Sequence, residues 1–477
     1  MTRLLPPCLA LALALALAAN SAAAAAPLAP DPADGVFAIP AAALERHGSM
    51  RLAASGTAAP VGNTPAEHIS HWTKPGDHLA CRVRVPAAAE YRVLVETASL
   101  RDSALRVAFS SADGEKSIAK NIPKTGAYTK YRAGEIGDIT LPAGEISIRI
   151  LAENPAGQWR PLDLRRLTLY PVAGAPGSLR AATRPAPAGA GFSMPGYYLW
   201  APSVLKVGDT YHMFVSRWPA ETGMGGWLTH SECVRATSKN ILGPYVFQQV
   251  AMRGRPGKFD PTVHENRVVK IGDKFVHYYC AHAAHGTGIA WSDSIEGPWT
   301  RSGEAVIPPP AVGPSVLVNP DNSVYVFTRK GGGADALKTG AGFRAKTFDS
   351  PHVPVAGGKN LLPDGHELED PAIWRAGGVI HVVQNDWRAR VTGVSKDGVR
   401  YYSTDNGESY RLAERFAFDK TVEHADGRRE KMRRVEHAFI HTNEREEVTA
   451  LFLSCLPQDG PSVIIAHPVQ NYTPPER

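Results

Sequence analysis

The stretch Glu369-Asp-Pro-Ala-Ile-Trp374, with the turn Gly377-Gly378 and a second aliphatic run behind it, is one copy of a motif that the second half of the chain repeats. Each clear copy has a short polar opening, an aliphatic strand, a Gly-Asp or Gly-Gly turn and a second strand. The other clear copies open at Trp200 and His264, and weaker copies open at Val312 and Arg434. Intervals of roughly 40–60 residues are typical of propeller blades built from four strands. Five copies predict five blades, and the alternative is a set of unrelated hairpins in a β-sandwich.

The first third of the chain shows a different pattern. From about residue 38 to residue 172, short runs such as His78–Val85 and Gly144–Leu151 alternate apolar and polar residues between turns. Period-two alternation of this kind predicts an antiparallel β-sandwich, for which we expect a jelly roll. Residues 173–191, rich in Pro, Gly and Ala, have the composition of a linker, and residues 192–477 then form the predicted propeller. The predicted fold class is all-β, a sandwich followed by a five-bladed β-propeller.

The N-terminus has the three parts of a secretory signal. A charged start at Arg3 precedes an apolar run over residues 9–19 and an alanine-rich tract that ends at Ala26. The apolar run is too short for a stable membrane span, so we expect residues 1–26 to be a signal peptide and the protein to carry no membrane anchor. Export to the periplasm or the exterior follows.

The net charge limits which partners are expected, and the cysteine spacing limits which disulfides are expected. The net charge of +6 suits an acidic partner, but the sequence contains no nucleic-acid-binding motif or long basic run, so nucleic acid is not expected. An exported protein more naturally meets a poly- or oligosaccharide, neutral or anionic. The four cysteines after the signal are widely spaced, so they leave open one disulfide or buried thiols: Cys81, Cys233, Cys280 and Cys455.

Reading the repeats in register predicts that one pocket collects residues from several blades. The openings of the inner strands surround one mouth of the central channel, together with the loops between second and third strands. Carboxylates placed directly before buried strands are costly unless they are paired or used. The catalytic candidates are Asp260, His264, Asp370 and Glu436. The substrate-binding candidates are Trp200, Arg217, Trp218, His282, His285, Arg329, Lys330, Glu369, Asp386, Trp387, Arg388 and Arg434.

These residue types suit the cleavage of a glycosidic bond. Converging carboxyls take different proton affinities, which supplies an acid and a base, while aromatic rings hold the sugar faces. Each candidate also has a structural reading: Asp260, His264 and Asp370 as hydrogen-bonded turn residues, and Glu436 as an ion-pair partner of a neighbouring arginine. We expect no metal or other cofactor, because strand alternation separates the histidines and cysteine of residues 277–285.

The second half of the chain resembles the five-bladed β-propeller glycoside hydrolases of families 43 and 117. The resemblance rests on Trp200-Ala-Pro-Ser-Val, Ile289-Ala-Trp-Ser-Asp-Ser-Ile-Glu-Gly-Pro-Trp, Glu367-Leu-Glu-Asp-Pro-Ala-Ile-Trp and Arg434-Val-Glu-His. It implies that Asp370 matches the channel aspartate of these families, Glu436 the glutamate of the last blade, and His264 a histidine that opens the second blade. Trp200-Ala201-Pro202 lacks the first-blade aspartate that serves as base in family 43.

The first third is similar to the small β-sandwich carbohydrate-binding modules of the family 6 and 35 type, through Trp72-Thr-Lys-Pro-Gly-Asp and Leu167-Thr-Leu-Tyr-Pro. This likeness implies that Trp72, Tyr128, Tyr131 or Trp159 stacks on a sugar, although packing is the alternative for each.

The functional expectation is therefore a secreted glycoside hydrolase, and a closed-off channel favours exo action on a terminal sugar. In it, Asp370 orients the substrate, Glu436 or His264 protonates the leaving oxygen, and Asp260 or Glu369 activates water. The alternatives are a lyase acting on uronate-containing glycans and a glycan-binding propeller without catalysis.

Overall fold

The computed structural model describes residues 26–58, 65–72, 74, 76–153, 162–282, 286–331, 337–474 and 476. Apart from Ala26, the predicted signal peptide lies outside these residues. The described chain is nearly all-β, with many small sheets, which confirms the all-β prediction. Its helices are short: α1 (Leu179–Ala182), α2 (Trp227–His230) and the 3-10 turns Ala41–Ala43, Ala220–Thr222, Met224–Gly226 and Val355–Gly358. No helix in the described ranges is long and apolar enough to cross a membrane.

Two antiparallel sheets form the N-terminal part. Their strands are β1 (Phe37–Pro40), β2 (Glu45–His47), β3 (Arg51–Ala58), β4 (Pro65–Ser70), β5 (His78–Val85), β6 (Ala89–Ala98), β7 (Ser103–Ser111), β8 (Gly114–Ile122), β9 (Arg132–Leu141), β10 (Gly144–Ala152) and β11 (Asp163–Pro171). One sheet has the order β3-β4-β11-β6-β9 with β1 beside β11, and the other has the order β2-β5-β10-β7-β8. Alternate residues of both sheets meet in one core, as the period-two pattern requires.

Five further small sheets follow along the chain. Their strands are β12 (Tyr197–Val207), β13 (Thr210–Pro219), β14 (Glu232–Ser238) and β15 (Val246–Met252); β16 (His264–Ile271), β17 (Lys274–His282), β18 (Gly286–Ser292) and β19 (Thr300–Arg301); β20 (Ala311–Val318), β21 (Val324–Lys330), β22 (Thr339–Ala345) and β23 (Val353–Pro354); β24 (Ala372–Ala376), β25 (Val379–Asn385), β26 (Gly398–Ser403) and β27 (Arg411–Arg415); and β30 (Arg434–Thr442), β31 (Val448–Leu456) and β32 (Val463–Pro468). A hairpin of β28 (Thr421–Glu423) and β29 (Arg429–Lys431) precedes the last of them. Within each sheet the strands pair in sequence order.

The first strands of these sheets contact one another in a closed ring. β12 packs against β16, β16 against β20, β20 against β24, β24 against β30, and β30 against β12. We call this arrangement the ring. The last sheet has three strands, and Phe192, which precedes the first sheet, exchanges two backbone hydrogen bonds with Ile464 on its outer strand. The segment before the ring thus helps to close it.

Each first strand has one residue in the left-handed backbone region, either near its start or, for Asp370, just before it. The five residues are Ala201 (φ 54°), Glu265 (φ 51°), Gly313 (φ 68°), Asp370 (φ 54°) and His437 (φ 48°). A left-handed conformation costs a non-glycine residue about 1 kcal/mol, so four of the five need compensation. In three of them the amide donates to a side chain of the preceding sheet, namely Ala201 to Ser454, Glu265 to Ser216 and His437 to Asn385.

Arg267 joins four of the five sheets behind these residues. Its Nη1 donates to the carbonyls of Pro202 and Asn266, both at 3.0 Å, and its Nη2 donates to those of Pro371 and Ala438, both at 3.3 Å. The side chain is buried, and this burial lowers the pKa of Arg267 to about 10. The guanidinium is therefore a polar centre on which the inner strands converge.

The N-terminal sheets are held against the ring through Asp419. Its Oδ2 accepts hydrogen bonds from Arg92 at 2.9 Å, Arg180 at 2.9 Å and Tyr170 at 3.0 Å. Tyr170 also stacks on Phe416, with ring centroids 4.0 Å apart. Nearby cations, Arg180 before Arg92, lower the pKa of Asp419 despite its burial. These contacts fix the two parts of the chain to each other.

All four cysteines outside the predicted signal are free and buried. Of the two possibilities that the sequence left open, the structure has the buried thiols. Burial raises the pKa of Cys81 to about 12, so the thiol has no tendency to ionise at neutral pH.

Replacing Arg267 tests its role at the centre of the ring. Arg267→Met keeps much of the apolar stem but leaves four buried carbonyls without their donor, so we expect the free energy of unfolding to fall by about 3 kcal/mol. Urea titration followed by tryptophan fluorescence measures the change. Arg445→Met, at an exposed arginine of the ring, is the matched control, and an equal loss in both variants would contradict the assigned role.

Candidate active site

The left-handed positions of the ring bring three ionisable groups to one mouth of it. Glu265, Asp370 and His437 occupy the position in the second, fourth and fifth sheets, while Ala201 and Gly313 occupy it in the first and third. The pairing of strands shifts register beside this position in β12, β16, β20 and β30. Such a bulge turns a side chain out of the strand's normal alternation.

His437 lies between the two carboxyl groups. Its Nε2 is 3.1 Å from Asp370 Oδ1 and 3.8 Å from Glu265 Oε1. The side chains of His437 and Asp370 are buried, whereas that of Glu265 keeps 13% of its surface exposed. We call these three residues the triad.

Burial shifts the proton affinities of the triad toward neutral forms. Burial first, and then the carboxylates of Glu369 and Glu436, raise the pKa of Asp370 well above its ordinary value. Burial also raises the pKa of Glu265, although the Arg329 guanidinium acts in the opposite direction. Burial lowers the pKa of His437 well below its usual range, and His264 and Arg267 add to this effect. At neutral pH the imidazole is thus uncharged, and Asp370 is the carboxyl that most strongly retains a proton.

Two further carboxylates flank the triad, and cations hold both of them. Glu369 Oε2 accepts from Arg329 Nη1 and Lys338 Nζ, each at 2.9 Å. Glu436 Oε1 accepts from Lys396 Nζ at 2.7 Å and Arg434 Nε at 2.5 Å, and its Oε2 accepts from Arg434 Nη2 at 2.8 Å. Because cations pair with these carboxylates, they are better placed to set the electrostatic potential at the triad than to transfer protons.

Trp387 provides partly exposed aromatic surface beside these ion pairs, whereas Trp200 is buried and packs against the site. Lys338 Nζ lies 3.5 Å and Lys396 Nζ 4.4 Å from the centroid of the Trp387 ring. Trp200 contacts His437 edge-on at 5.9 Å between centroids, and the Arg434 guanidinium lies 5.4 Å from its ring. Aromatic rings of this kind pack on the apolar faces of sugars.

Asp386 fixes the loop that carries Trp387. Its carboxylate accepts hydrogen bonds from the backbone amides of Arg390, Val391 and Thr392, and from the Thr392 hydroxyl. A buried carboxylate saturated by loop donors has a positioning role rather than a substrate contact. Arg388 of the same loop pairs with Glu367 at 3.3 Å.

His264 lies behind the triad and not in its centre. Its Nδ1 is 2.9 Å from the Ser231 hydroxyl, and its ring stacks on Trp227 with centroids 4.8 Å apart. Burial lowers the pKa of His264 to about 3, so the imidazole is neutral. Its ring centroid is 6.2 Å from that of His437. Trp218 packs against the other edge of His264 and is completely buried.

Asp260 is separated from the triad by its own network. The side chain is completely buried, and its carboxylate accepts from Arg255 at 2.8 Å, Tyr279 at 2.8 Å and Arg301. This arrangement corresponds to the structural reading of Asp260, since every bond joins it to nearby loops and strands. Asp260 is therefore a poor candidate for activating water.

The remaining predicted residues either lie away from the triad or fall outside the described residues. Arg217 is buried, pairs with Glu232 at 2.7 Å and stacks on Tyr197, away from the triad's own contacts. Lys330 is exposed. His285 and the side chain of His282 lie outside the described residues, as does Trp159 in the N-terminal part. Trp72 is completely buried there and packs in the core, so it presents no face to a sugar.

The sequence reasoning missed four residues of this site: Glu265 as a central group, His437, Lys338 and Lys396. A signal for the first two was present, because Ala201, Glu265, Gly313, Asp370 and His437 occupy the same place in the five copies. Lys338 and Lys396 come from loops outside the repeat. Their sequence neighbourhoods carry no pattern that would bring them to the mouth.

One group of side chains could hold a cation. His264, Glu265 and His437 each offer a ligand atom within 4.8 Å of the others. The hydrogen-bond distance between His437 and Asp370, and the Arg267 guanidinium close enough to influence both carboxyls, favour a proton-transfer cluster instead.

No protein-family model matches the chain, and no curated protein matches it. Its structure is similar to a family 117 glycoside hydrolase of the marine bacterium Zobellia galactanivorans, at 14% identity and a TM-score of 0.43, over 60% of this chain and 89% of that one. It is also similar to the catalytic domain of a GH62 α-L-arabinofuranosidase of Coprinopsis cinerea, at 13% identity and a TM-score of 0.46, over 62% and 99%. A GH43_1 enzyme of Xanthomonas citri complexed with xylose is similar at 13% identity and a TM-score of 0.42, over 61% and 92%. Since these TM-scores are below 0.5, the assignment of the site rests on its own geometry.

The raised pKa of Asp370 has a consequence for stability. A carboxyl whose pKa is higher in the folded state contributes stability below its unfolded pKa of about 3.8, and this contribution is lost as pH rises toward the folded value. Asp370→Asn removes the titration, and asparagine tolerates the left-handed backbone. We therefore compare the free energy of unfolding of the variant with that of wild type at each pH. The difference should favour the variant by at least about 1 kcal/mol more at pH 8 than at pH 4.

Thermal unfolding of both proteins at the two pH values measures this difference. Asp273→Asn, at an exposed aspartate of the second sheet, supplies the baseline for an Asp-to-Asn exchange. A gain for Asp370→Asn that does not depend on pH would contradict the raised pKa.

Proposed function

We propose that this protein is a glycoside hydrolase that cleaves an O-glycosyl bond at the triad of Glu265, Asp370 and His437. The observation that carries the proposal is the placement of two carboxyl groups, the buried Asp370 and the partly exposed Glu265, at 3.1 and 3.8 Å from one imidazole nitrogen. Two carboxyls with different environments are what acid and base catalysis of glycoside cleavage requires. The ring of Trp387 beside them is partly exposed and supplies a surface for a sugar.

The roles follow from the electrostatics. Asp370, whose pKa is raised most, donates a proton to the leaving oxygen. Glu265 is partly exposed and lies under the influence of Arg329, so it is the better carboxylate to receive a proton from the attacking water. His437 is neutral and touches both groups, so it positions them and limits repulsion when Glu265 is ionised. As the proton leaves Asp370 for the leaving group and another reaches Glu265, the charge of the site does not change.

This assignment modifies the roles expected from the sequence. Asp370 changes from an orienting group to the acid. Glu436 becomes a partner of Lys396 and Arg434, and Glu369 a partner of Arg329 and Lys338. His264 supports the triad from behind, and Asp260 has no part in the reaction. The missing first-blade carboxylate, where Ala201 stands, is replaced by Glu265 at the same position of the next sheet.

The broader proposal concerns the whole chain. The five sheets with their closed ring of first strands support a five-bladed β-propeller, with residues 192–477 as its extent, and the two N-terminal sheets with one core support a sandwich module of the carbohydrate-binding type over residues 38–172. Residues 173–191 connect them. A signal peptide over residues 1–26 would export the protein to the periplasm or the exterior, where a poly- or oligosaccharide is the substrate. Deep placement of the triad supports exo action on a terminal sugar.

Elimination from a uronic acid is the second candidate, favoured by one observation. Four cations surround the mouth, and such cations stabilise the carboxylate of a uronate. Each of the four already pairs with Glu369 or Glu436, which favours hydrolysis over elimination. A lyase would release an unsaturated product that absorbs in the ultraviolet, whereas a hydrolase incorporates one oxygen of ¹⁸O-labelled water into a product.

Isosteric substitution tests the two carboxyls. Because Asp370→Asn and Glu265→Gln keep the shape but remove the acid and the base, we expect each to lower the hydrolysis rate by a factor of about 10³. Product release from a panel of arabinan, galactan, xylan and uronate-containing polymers, followed by chromatography, measures the rate. Glu444→Gln, at an exposed glutamate of the ring, is the control. Full activity in Asp370→Asn would refute the proposed acid, and wild-type binding without turnover on the whole panel would favour a non-catalytic glycan-binding protein.

The pH profile provides a separate test through Glu369. Its negative charge contributes to the raised pKa of both Asp370 and Glu265. Glu369→Gln removes that charge and releases Arg329 and Lys338, and both effects lower the two carboxyl pKa values. The alkaline limb, set by loss of the Asp370 proton, and the acid limb, set by protonation of Glu265, should therefore both move to lower pH, by about one pH unit.

Initial rates across the pH range for wild type, Glu369→Gln and Glu444→Gln give these limbs. A purely structural role of Glu369 would lower the rate at every pH and leave the limbs in place.

A further inference from the structure

A cleft lies where the N-terminal sheets meet the ring. It has a volume of about 620 Å³. One wall comes from residues 129–133, which lead into β9, together with Glu96 of β6 and Arg165 of β11. The other wall comes from the segment 388–395 and Lys420 of the ring. The cleft is thus built by both parts of the chain, and neither part contains it alone.

Cations dominate the lining. Five of the lining residues are basic, Lys130, Arg132, Arg165, Arg388 and Lys420, and one, Glu96, is acidic. Glu96 is itself neutralised, since its oxygens accept from Arg165 at 3.4 Å and from Arg166 at 3.1 Å. Of the inner cations, Arg388 pairs with Glu367 at 3.3 Å and Lys420 Nζ lies 3.8 Å from Asp397 Oδ1, so the charge that a ligand meets comes mainly from the rim. Lys130 and Arg132 are exposed at the rim. A concave surface with one sign of charge attracts a ligand of the opposite sign.

An aromatic ring adds a second type of contact. Tyr131 lines the cleft, and the Arg165 guanidinium lies 3.7 Å from the centroid of its ring. This stacking holds both side chains in place, so the guanidinium is ordered before a ligand arrives. An aromatic edge beside ordered cations suits a sugar that carries an acidic group, because the ring body is apolar and the substituent is charged.

One loop borders both the cleft and the candidate active site. The segment 386–396 carries Trp387 and Lys396 on the side of the ion pairs around the triad, and Arg388 and Ser395 on the side of the cleft. Asp386 ties this loop together with backbone hydrogen bonds. The two sites therefore lie on either side of the same loop.

We propose that this cleft is a second binding site, for an anionic stretch of the glycan whose end is cut at the triad, and that it recognises carboxylate or sulfate groups on the sugars. This inference rests on the proposed function for the identity of the ligand as a glycan. It goes beyond that function by assigning the junction of the two parts to substrate selection. The cleft selects chains by their charge, whereas the triad acts on the terminal bond.

Affinity electrophoresis of the full-length protein tests the cleft without requiring turnover. Native gels contain polygalacturonate, dextran sulfate or neutral dextran, and retardation gives the dissociation constant. Lys130→Glu/Arg132→Glu reverses two charges at the rim, and we expect about a tenfold loss of affinity for at least one anionic polymer, with no retardation by neutral dextran. Lys130→Gln/Arg132→Gln should lose less, and retardation of the wild type should weaken with added NaCl.

Lys120→Glu/Lys124→Glu makes the same change of charge at exposed lysines of the same domain outside the cleft, and it should bind like wild type. Retardation by polygalacturonate alone identifies carboxylate, and retardation by dextran sulfate alone identifies sulfate. Unchanged binding in the two rim variants, equal losses in the control, or equal retardation by neutral dextran overturns the proposal.

Turnover separates this proposal from the hydrolase. If the wild type binds through the rim but cleaves no glycan, the result supports the second binding site and refutes the proposed hydrolase activity. If the wild type cleaves glycans while the rim variants bind like wild type, the result supports the hydrolase activity and refutes the second binding site.

Discussion

The left-handed residue at the start of each inner strand is the constraint on which the ring depends. It turns the backbone so that an amide leaves its own sheet and reaches a side chain of the preceding one, as Ala201 does with Ser454 and His437 with Asn385. The same turn directs carbonyls inward, where the Arg267 guanidinium donates hydrogen bonds to them. A conformation that costs about 1 kcal/mol in isolation is thus stabilised by contacts that exist only when the sheets are assembled. Fold and site share this device, because it also aims Glu265, Asp370 and His437 at a common point.

The electrostatics of the site form two layers. Inside, Asp370 and His437 are buried and tend toward neutrality, whereas Glu265 is partly exposed and can hold a charge. Around it, Glu369 and Glu436 are each held by two cations, and these ion pairs set the potential in which the inner carboxyls titrate. Trp387 lies against the cations of both ion pairs, through Lys338 and Lys396. The loop that carries this tryptophan also borders the charged cleft at the junction with the N-terminal sheets, so a single segment links the two surfaces.

The sequence predicted the all-β class and the places where inner strands begin, because periodicity and turn residues are local properties. It also predicted Asp370, Glu369, Glu436, Trp387 and Arg434 as members of one mouth, where the structure brings them together. It did not distinguish the second position of each opening from its neighbours, since left-handed geometry at Glu265 and His437 arises from packing between sheets and not from a glycine. Asp260 looked similar to Asp370 because both precede proline, yet only tertiary contacts with Arg301 and Tyr279 separate their roles. Lys338 and Lys396 reach the mouth from loops, whose course local patterns do not determine.

The pairing of Phe192 with Ile464 has a consequence for how the chain comes into being. Nearly the whole length of the repeated region separates these two residues, and the three-stranded last sheet receives this edge from a segment made long before it. During synthesis the ring cannot close until the final strands have left the ribosome. Contacts so distant in sequence form slowly, because a large loop has to be ordered before they stabilise anything. The last sheet therefore keeps an unpaired edge until its final strand has been made and has met this early segment.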